Sequence, residues 1–88
     1  MTDSIADQLA REVRSRRLAL GLTQKDVADM TGVSERFVRF IEQGKPSVQL
    51  DSLLAVLDTL GLELRITTKT GKGARALAGH ASDREPKP

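Results

Sequence analysis

The sequence predicts an all-α domain, a five- or four-helix bundle followed by one short C-terminal β-strand, and three features carry that expectation. Apolar residues make up 39% of the 88-residue chain and are nearly all aliphatic, with two Phe and no Trp or Tyr, which suits helices packed on one another better than a sandwich of sheets. Apolar residues return at helical spacing through most of residues 5–60. Residues 62–69 break that period and alternate apolar with polar, as a half-buried strand does. One small domain is all that a chain of this length supports.

The first helix is expected over residues 5–20. Ser4 is a fair N-cap with Asp7 as its capping-box partner, and Asp3 and Asp7 complement the positive end of the helix dipole. Leu9, Val13 and Leu20 recur at helical spacing, with Ile5 and Ala6 extending the stripe, and Gly21 stops the helix. Arg11, Arg14, Arg16 and Arg17 crowd this helix, and for Arg11 and Arg14 a solvated face is the plain alternative to a role in binding. Thr23 can cap the second helix, which ends near residue 30 with Val27 and Ala28 facing inward and Lys25, Asp26 and Asp29 facing out. Gln24 sits in its first turn, where a side-chain amide and free backbone N–H groups suit a phosphate; the alternative is an ordinary exposed Gln.

The chain is organised around residues 24–43, read as a helix, a tight turn and a second helix. Ala28 is small where two helices cross closely, and Gly32 supplies a turn conformation that a β-carbon resists. Ser34 N-caps the third helix, expected over residues 35–43, and Val38 and Ile41 bury its inner face. An αα-hairpin that only packs would share much of this pattern. On a helical wheel, however, Ser34, Val38 and Ile41 share one side while Arg36, Arg39, Phe40 and Gln43 fall on the other. A Phe turned away from the core beside two arginines is poor chemistry for a bland surface. It suits a helix that reads guanine edges and thymine methyls in double-stranded DNA.

Gly44-Lys45-Pro46 ends the third helix, and a fourth begins near residue 50. Leu50, Leu53, Leu54, Val56, Leu57 and Leu60 give it a wide apolar face that covers the bundle, and Gly61 ends it. A lone strand over 62–69 has no sheet to join, so its simplest partner is the same strand of a second copy, antiparallel across a two-fold axis. Leu62, Leu64, Arg65 and Ile66 would form that dimer strand, with Glu63 facing Arg65 of the second copy if the axis passes near Leu64. The alternative, a strand folding back on its own tail, finds no second alternating run there. The expected organisation is therefore a DNA-binding domain over residues 1–61, a dimerising strand over 62–69 and a flexible tail over 70–88 in which residues 74–78 can form a helical turn on a partner.

Composition narrows the function. There is no cysteine, and the one histidine, His80, lies in the polar tail, so thiolate catalysis, a His-based triad and a Cys- or His-based metal site lack their ligands. Neither an enzyme nor a cofactor is expected. The formal charge of +2 is too small for a strongly basic coat, so charge placement has to carry nucleic-acid binding. No apolar run approaches the roughly 18 residues of a membrane span, and the first residues lack the apolar stretch of a signal peptide. A cytoplasmic, nucleoid-associated protein with no membrane partner is the expectation.

The stretch Val13-Arg14-Ser15-Arg16-Arg17-Leu18-Ala19-Leu20-Gly21-Leu22-Thr23-Gln24, followed by Ala28, Gly32, Val33-Ser34, Val38, Ile41-Glu42 and Gly44, resembles the phage-repressor (Cro/C1, XRE) type of helix-turn-helix domain over residues 9–61. Residues 44–57, running on into Leu62-Glu63-Leu64, look most like the HipB-type antitoxins, in which a short strand after the last helix joins two subunits. The resemblance implies a lambda-repressor-like bundle. Arg17 and Glu42 match a buried pair tying the first helix to the third, and Gln24 matches a phosphate ligand. Ser34, Glu35, Arg36 and Phe40 match positions that reach base edges, and Arg39 and Lys45 lie where phosphates pass. Glu35 and Phe40 depart from the family's usual amide and polar residues, so its base preferences do not carry over. Glu35 would accept from a cytosine amino group or buttress Arg36, and Phe40 would touch a thymine methyl. The implied protein is a homodimeric repressor on an inverted repeat, the antitoxin of a toxin–antitoxin operon with a HipA-like kinase toxin as partner. The alternatives are a stand-alone regulator and an interaction module that neutralises such a kinase.

Overall fold

A computed structural model describes residues 4–68. Four helices follow one another among them: α1 (Ile5–Ala19), α2 (Gln24–Thr31), α3 (Glu35–Glu42) and α4 (Leu50–Thr59). Helix α3 packs on both α1 and α2, and α2 also packs on α4. The expected bundle is therefore formed with four helices. The tail over 70–88, with His80 and the helical turn over 74–78, lies outside the described residues, as do Asp3 and Lys69.

Local chemistry starts each helix. The Ser4 hydroxyl accepts from the Asp7 N–H at 3.1 Å while Asp7 accepts from the Ser4 N–H at 3.4 Å, completing the expected capping box. Thr23 and Asp26 form a second box at 2.9 and 2.8 Å, and Ser34 accepts from the Phe37 N–H at 3.0 Å. Helix α4 has no side-chain cap at its N-terminus. Its C-terminus is held instead from α1, where Arg16 Nε donates to the Leu60 carbonyl at 2.7 Å. Helix α1 stops at Ala19, with Leu20 as an exposed C-cap rather than a last core residue.

The core consists of Val13, Val27, Ala28, Val38, Ile41, Leu53, Val56, Leu57 and Leu60, with Leu9, Leu22, Val33, Phe37, Val48 and Leu62 packed against it. The apolar face expected of α4 is narrower than its sequence: Leu50 is 56% exposed and Leu54 is also exposed, because α4 meets the bundle only along the 53/56/57/60 side. Ile5 is likewise exposed and does not extend the core.

Within the described part of the segment expected as a strand over 62–69, residues 62–68, the chain runs without regular secondary structure. A strand is a paired object, and no described segment runs beside this one to supply the ladder. Leu62 belongs to the bundle: its N–H donates to the Leu57 carbonyl at 2.8 Å in the turn that closes α4, and its side chain packs against the core. Beyond it, Leu64 is exposed and Ile66 is 96% exposed.

Candidate nucleic-acid interface

The turn between α2 and α3 fixes how α3 is presented. Gly32 adopts φ 81° and its N–H donates to the Ala28 carbonyl at 2.9 Å. The Thr31 hydroxyl donates to the Val27 carbonyl at 2.8 Å and accepts from the Val33 N–H at 3.3 Å, so one side chain bridges the end of α2 and the approach to α3. Val33 then packs on the core, and α3 leaves at a set angle.

From behind, α3 is tied to α1 by charge. Arg17 Nε donates to Glu42 Oε2 at 2.6 Å, Arg17 Nη2 to Glu42 Oε1 at 2.9 Å, and Arg17 Nη1 to the Leu22 carbonyl at 2.8 Å. The two side chains are 9% and 3% exposed. A two-pronged guanidinium–carboxylate contact fixes direction as well as distance. Burial pushes the Glu42 carboxyl up, but hydrogen bonds from Arg17 and then Gln24, with the charges of Arg17 and Arg14, leave it below the ordinary carboxylate range. The hydrogen bond to Glu42 raises Arg17 further, outweighing the opposing effect of burial. Leu9, Val13 and Arg17 lie on one stripe of α1, so the arginine occupies a position where another aliphatic residue would be expected.

Gln24 takes part in this buried cluster. Its Nε2 donates to Glu42 Oε1 at 3.2 Å, and the side chain is half-buried beside the start of α2. This bond was not anticipated from the sequence; it orients the amide rather than leaving it loose in solvent. Lys25, next to it, pairs with Asp29 at 3.0 Å. Its ammonium is raised above the usual range by the Asp29 hydrogen bond and charge, with Glu35 and Asp26 adding to it.

On the outer side of α3, Glu35, Arg36, Arg39 and Gln43 are exposed. Arg39 Nη2 lies 3.6 Å from Glu35 Oε2, a long pair one helical turn apart. Glu35 therefore turns to Arg39 instead of buttressing Arg36. The Arg36 Cζ lies 5.0 Å from the centre of the Phe40 ring, and Lys45 Nζ lies 6.0 Å from the same ring. Phe40 is half-buried, not bare as its wheel position suggested. Ser34 spends its acceptor on the N-cap, which leaves its hydroxyl proton for another group. Apart from Ser34 at the N-cap, the predicted DNA-site and ion-pair residues thus fall into three sets: Arg17, Gln24 and Glu42 behind the helix; Glu35 with Arg39; and Arg36, Phe40 and Lys45 together on the outer side. Leu64, Arg65 and Ile66 stand apart, and Arg65 pairs with Glu63 of its own chain at 2.6 Å.

The helix-turn-helix family model matches residues 13–66, more than half of the chain. The chain belongs to the helix-turn-helix family. It is 35% identical over 66 residues, 75% of this chain and 67% of the relative, to an uncharacterized HTH-type transcriptional regulator of Haemophilus influenzae. It is also 41% identical over 54 residues, 61% of this chain and 71% of the relative, to the uncharacterized HTH-type transcriptional regulator y4mF of Sinorhizobium fredii. No helix among the described residues is long and apolar enough to cross a membrane.

Proposed function

We propose that this helix-turn-helix chain is a sequence-specific, non-enzymatic DNA-binding transcriptional repressor that inserts α3 into the major groove. The observation that carries the reading is the division of α3 into a locked inner side, Val38, Ile41 and Glu42, and an outer side where Arg36 and Arg39 face solvent. A rigid helix offering arginines to solvent suits base-edge recognition, with Arg39, Lys45 and the oriented amide of Gln24 set for phosphates. The names of the two relatives support the same reading for this chain.

In this reading the protein acts as a homodimer on an inverted repeat. Support comes from the segment beyond α4: Leu64 lines a groove together with Ile5, Leu9 and Leu57, and Ile66, two residues on, is 96% exposed. A second copy laying residues 62–69 antiparallel against the first would supply the missing ladder and cover Ile66. The antitoxin role within a toxin–antitoxin operon, with a HipA-like kinase as partner, rests on the resemblance over residues 44–64; a stand-alone regulator uses the same interface without a toxin.

Selection of bound duplexes from a random pool tests the main reading. An enriched inverted repeat, with half-sites about one helical turn apart or a multiple of it, is the expected result. Recovery of no common sequence at low salt would remove it. Deleting residues 63–69, which spares the core-packed residue Leu62, should convert a dimer to a monomer in sedimentation, and co-purification with a kinase-like protein distinguishes the antitoxin from the stand-alone regulator.

A further inference from the structure

The Phe40 ring has a cation on the guanidinium side, Arg36 at 5.0 Å, and a second at longer range, Lys45 at 6.0 Å. Its setting is local. Arg36 and Phe40 are one helical turn apart on α3, and the Lys45 N–H donates to the Phe40 carbonyl at 3.2 Å in the turn that closes the helix. The two other charged groups on this side, Glu35 and Arg39, pair with each other. Among the described residues Arg36 forms no ion pair, so the ring is its only assigned partner.

We propose, resting on the DNA-binding reading, that Phe40 is a positioning residue: its ring is a platform that aims Arg36 at a base edge and so sets base preference without touching a base. A guanidinium laid on an aromatic ring keeps its N–H donors in its own plane, free for a two-pronged contact with guanine O6 and N7. The ring also narrows the rotamers that a long side chain must give up on binding. A thymine-methyl reader needs an open ring; this one is half-buried and faced by Arg36. Phe40 is therefore a specificity-determining residue that acts through its neighbour.

The test uses the full chain with Phe40→Tyr, which keeps the ring, and Phe40→Leu, which keeps apolar bulk without it. In the free protein, the side-chain protons of Arg36 should show a ring-current displacement by NMR that survives in Phe40→Tyr and vanishes in Phe40→Leu. On the duplex selected from the random pool and its single-base variants, Phe40→Leu should reduce discrimination by about two- to fivefold at the base pair read by Arg36, the size of an exposed cation–π contact. Phe40→Tyr should retain it, and in an Arg36→Ala background Phe40→Leu should change nothing further at that pair.

Absence of the displacement in the wild-type chain would overturn the platform whatever happens with DNA. Loss confined to a thymine-containing pair, and persisting in the Arg36→Ala background, would show direct methyl contact and overturn it equally. Undiminished discrimination by Phe40→Leu refutes the positioning role while leaving the DNA reading intact. A wild-type chain that selects no duplex ends both, and the Arg36 resonances separate that failure from failure of the platform.

Discussion

Helix α3 carries charge on both sides, and the two sides are built differently. Behind it, Arg17 and Glu42 meet at 2.6 and 2.9 Å in a nearly dry environment, with Gln24 and the Leu22 carbonyl taking further hydrogen-bonding positions. In front, Arg39 stands 3.6 Å from Glu35, about half exposed, and Arg36 rests on a ring instead of a carboxylate. Buried charge is costly unless fully paired, so the inner cluster has one arrangement. Exposed charge is screened and loosely held, so the outer residues can exchange water and their weak partners for DNA. A recognition helix needs both: an anchored body and available side chains.

The largest test of that contrast is Arg17→Ala. It leaves Glu42 with the Gln24 hydrogen bond and the weaker charge of Arg14, and should cost about 3–5 kcal/mol in urea denaturation, a large part of a small domain's stability. Replacing the pair together, Arg17→Met with Glu42→Leu, should cost much less, because no charge is left buried alone. Equal losses for the single and paired replacements would show that the cluster acts through packing rather than charge.

Arg36→Ala should reverse the pattern. It should leave stability within about 0.5 kcal/mol and weaken specific DNA binding by about 1–3 kcal/mol, relaxing preference at one base pair in a competition assay. Equal weakening on random DNA would make Arg36 a phosphate ligand instead.

Acid separates the two sides next. Glu42 is held below the ordinary carboxylate value of about 4.3, so the unfolded chain binds its proton more readily than the folded one. Its contribution to stability is fully present above the unfolded value and is lost as pH falls through the lower folded value. Glu42→Gln should therefore flatten the acid limb of a stability–pH curve, whatever its effect at neutral pH. The smallest effect belongs to the front: Glu35→Gln should change stability by no more than about 0.5 kcal/mol, and that change should fade with added salt.

Most of the frame was legible. Capping boxes and N-caps are short-range patterns, so Ser4, Thr23 and Ser34 announce three helix starts from neighbours three residues away. The spacing of Ala28, Gly32, Val38 and Ile41 announced the motif because each position has a steric requirement. Contacts between distant residues were not legible from local patterns. Nothing near residue 16 indicates that Arg16 closes α4 by reaching the Leu60 carbonyl, 44 residues away. A Cβ on Gly61 would sit 3.2 Å from that arginine's Nη2, and one on Gly44 3.3 Å from Asp7 Oδ1, so a side chain at either turn would press on one from α1 as well as strain its own φ. The alternating pattern over 62–69 gives no strand within one chain for a related reason: it records which residues prefer one face, whereas a strand also needs a neighbour.

The sequence by itself determined where the helices start and stop, that Val38 and Ile41 point inward, and that arginines populate the opposite side of α3, because these follow from backbone sterics and a fixed helical period. Only the tertiary structure decided that Gln24 is drawn to Glu42, that Arg16 reaches the Leu60 carbonyl and that Phe40 is half-buried rather than bare. Those outcomes depend on the angles at which whole helices meet, which no short-range pattern encodes.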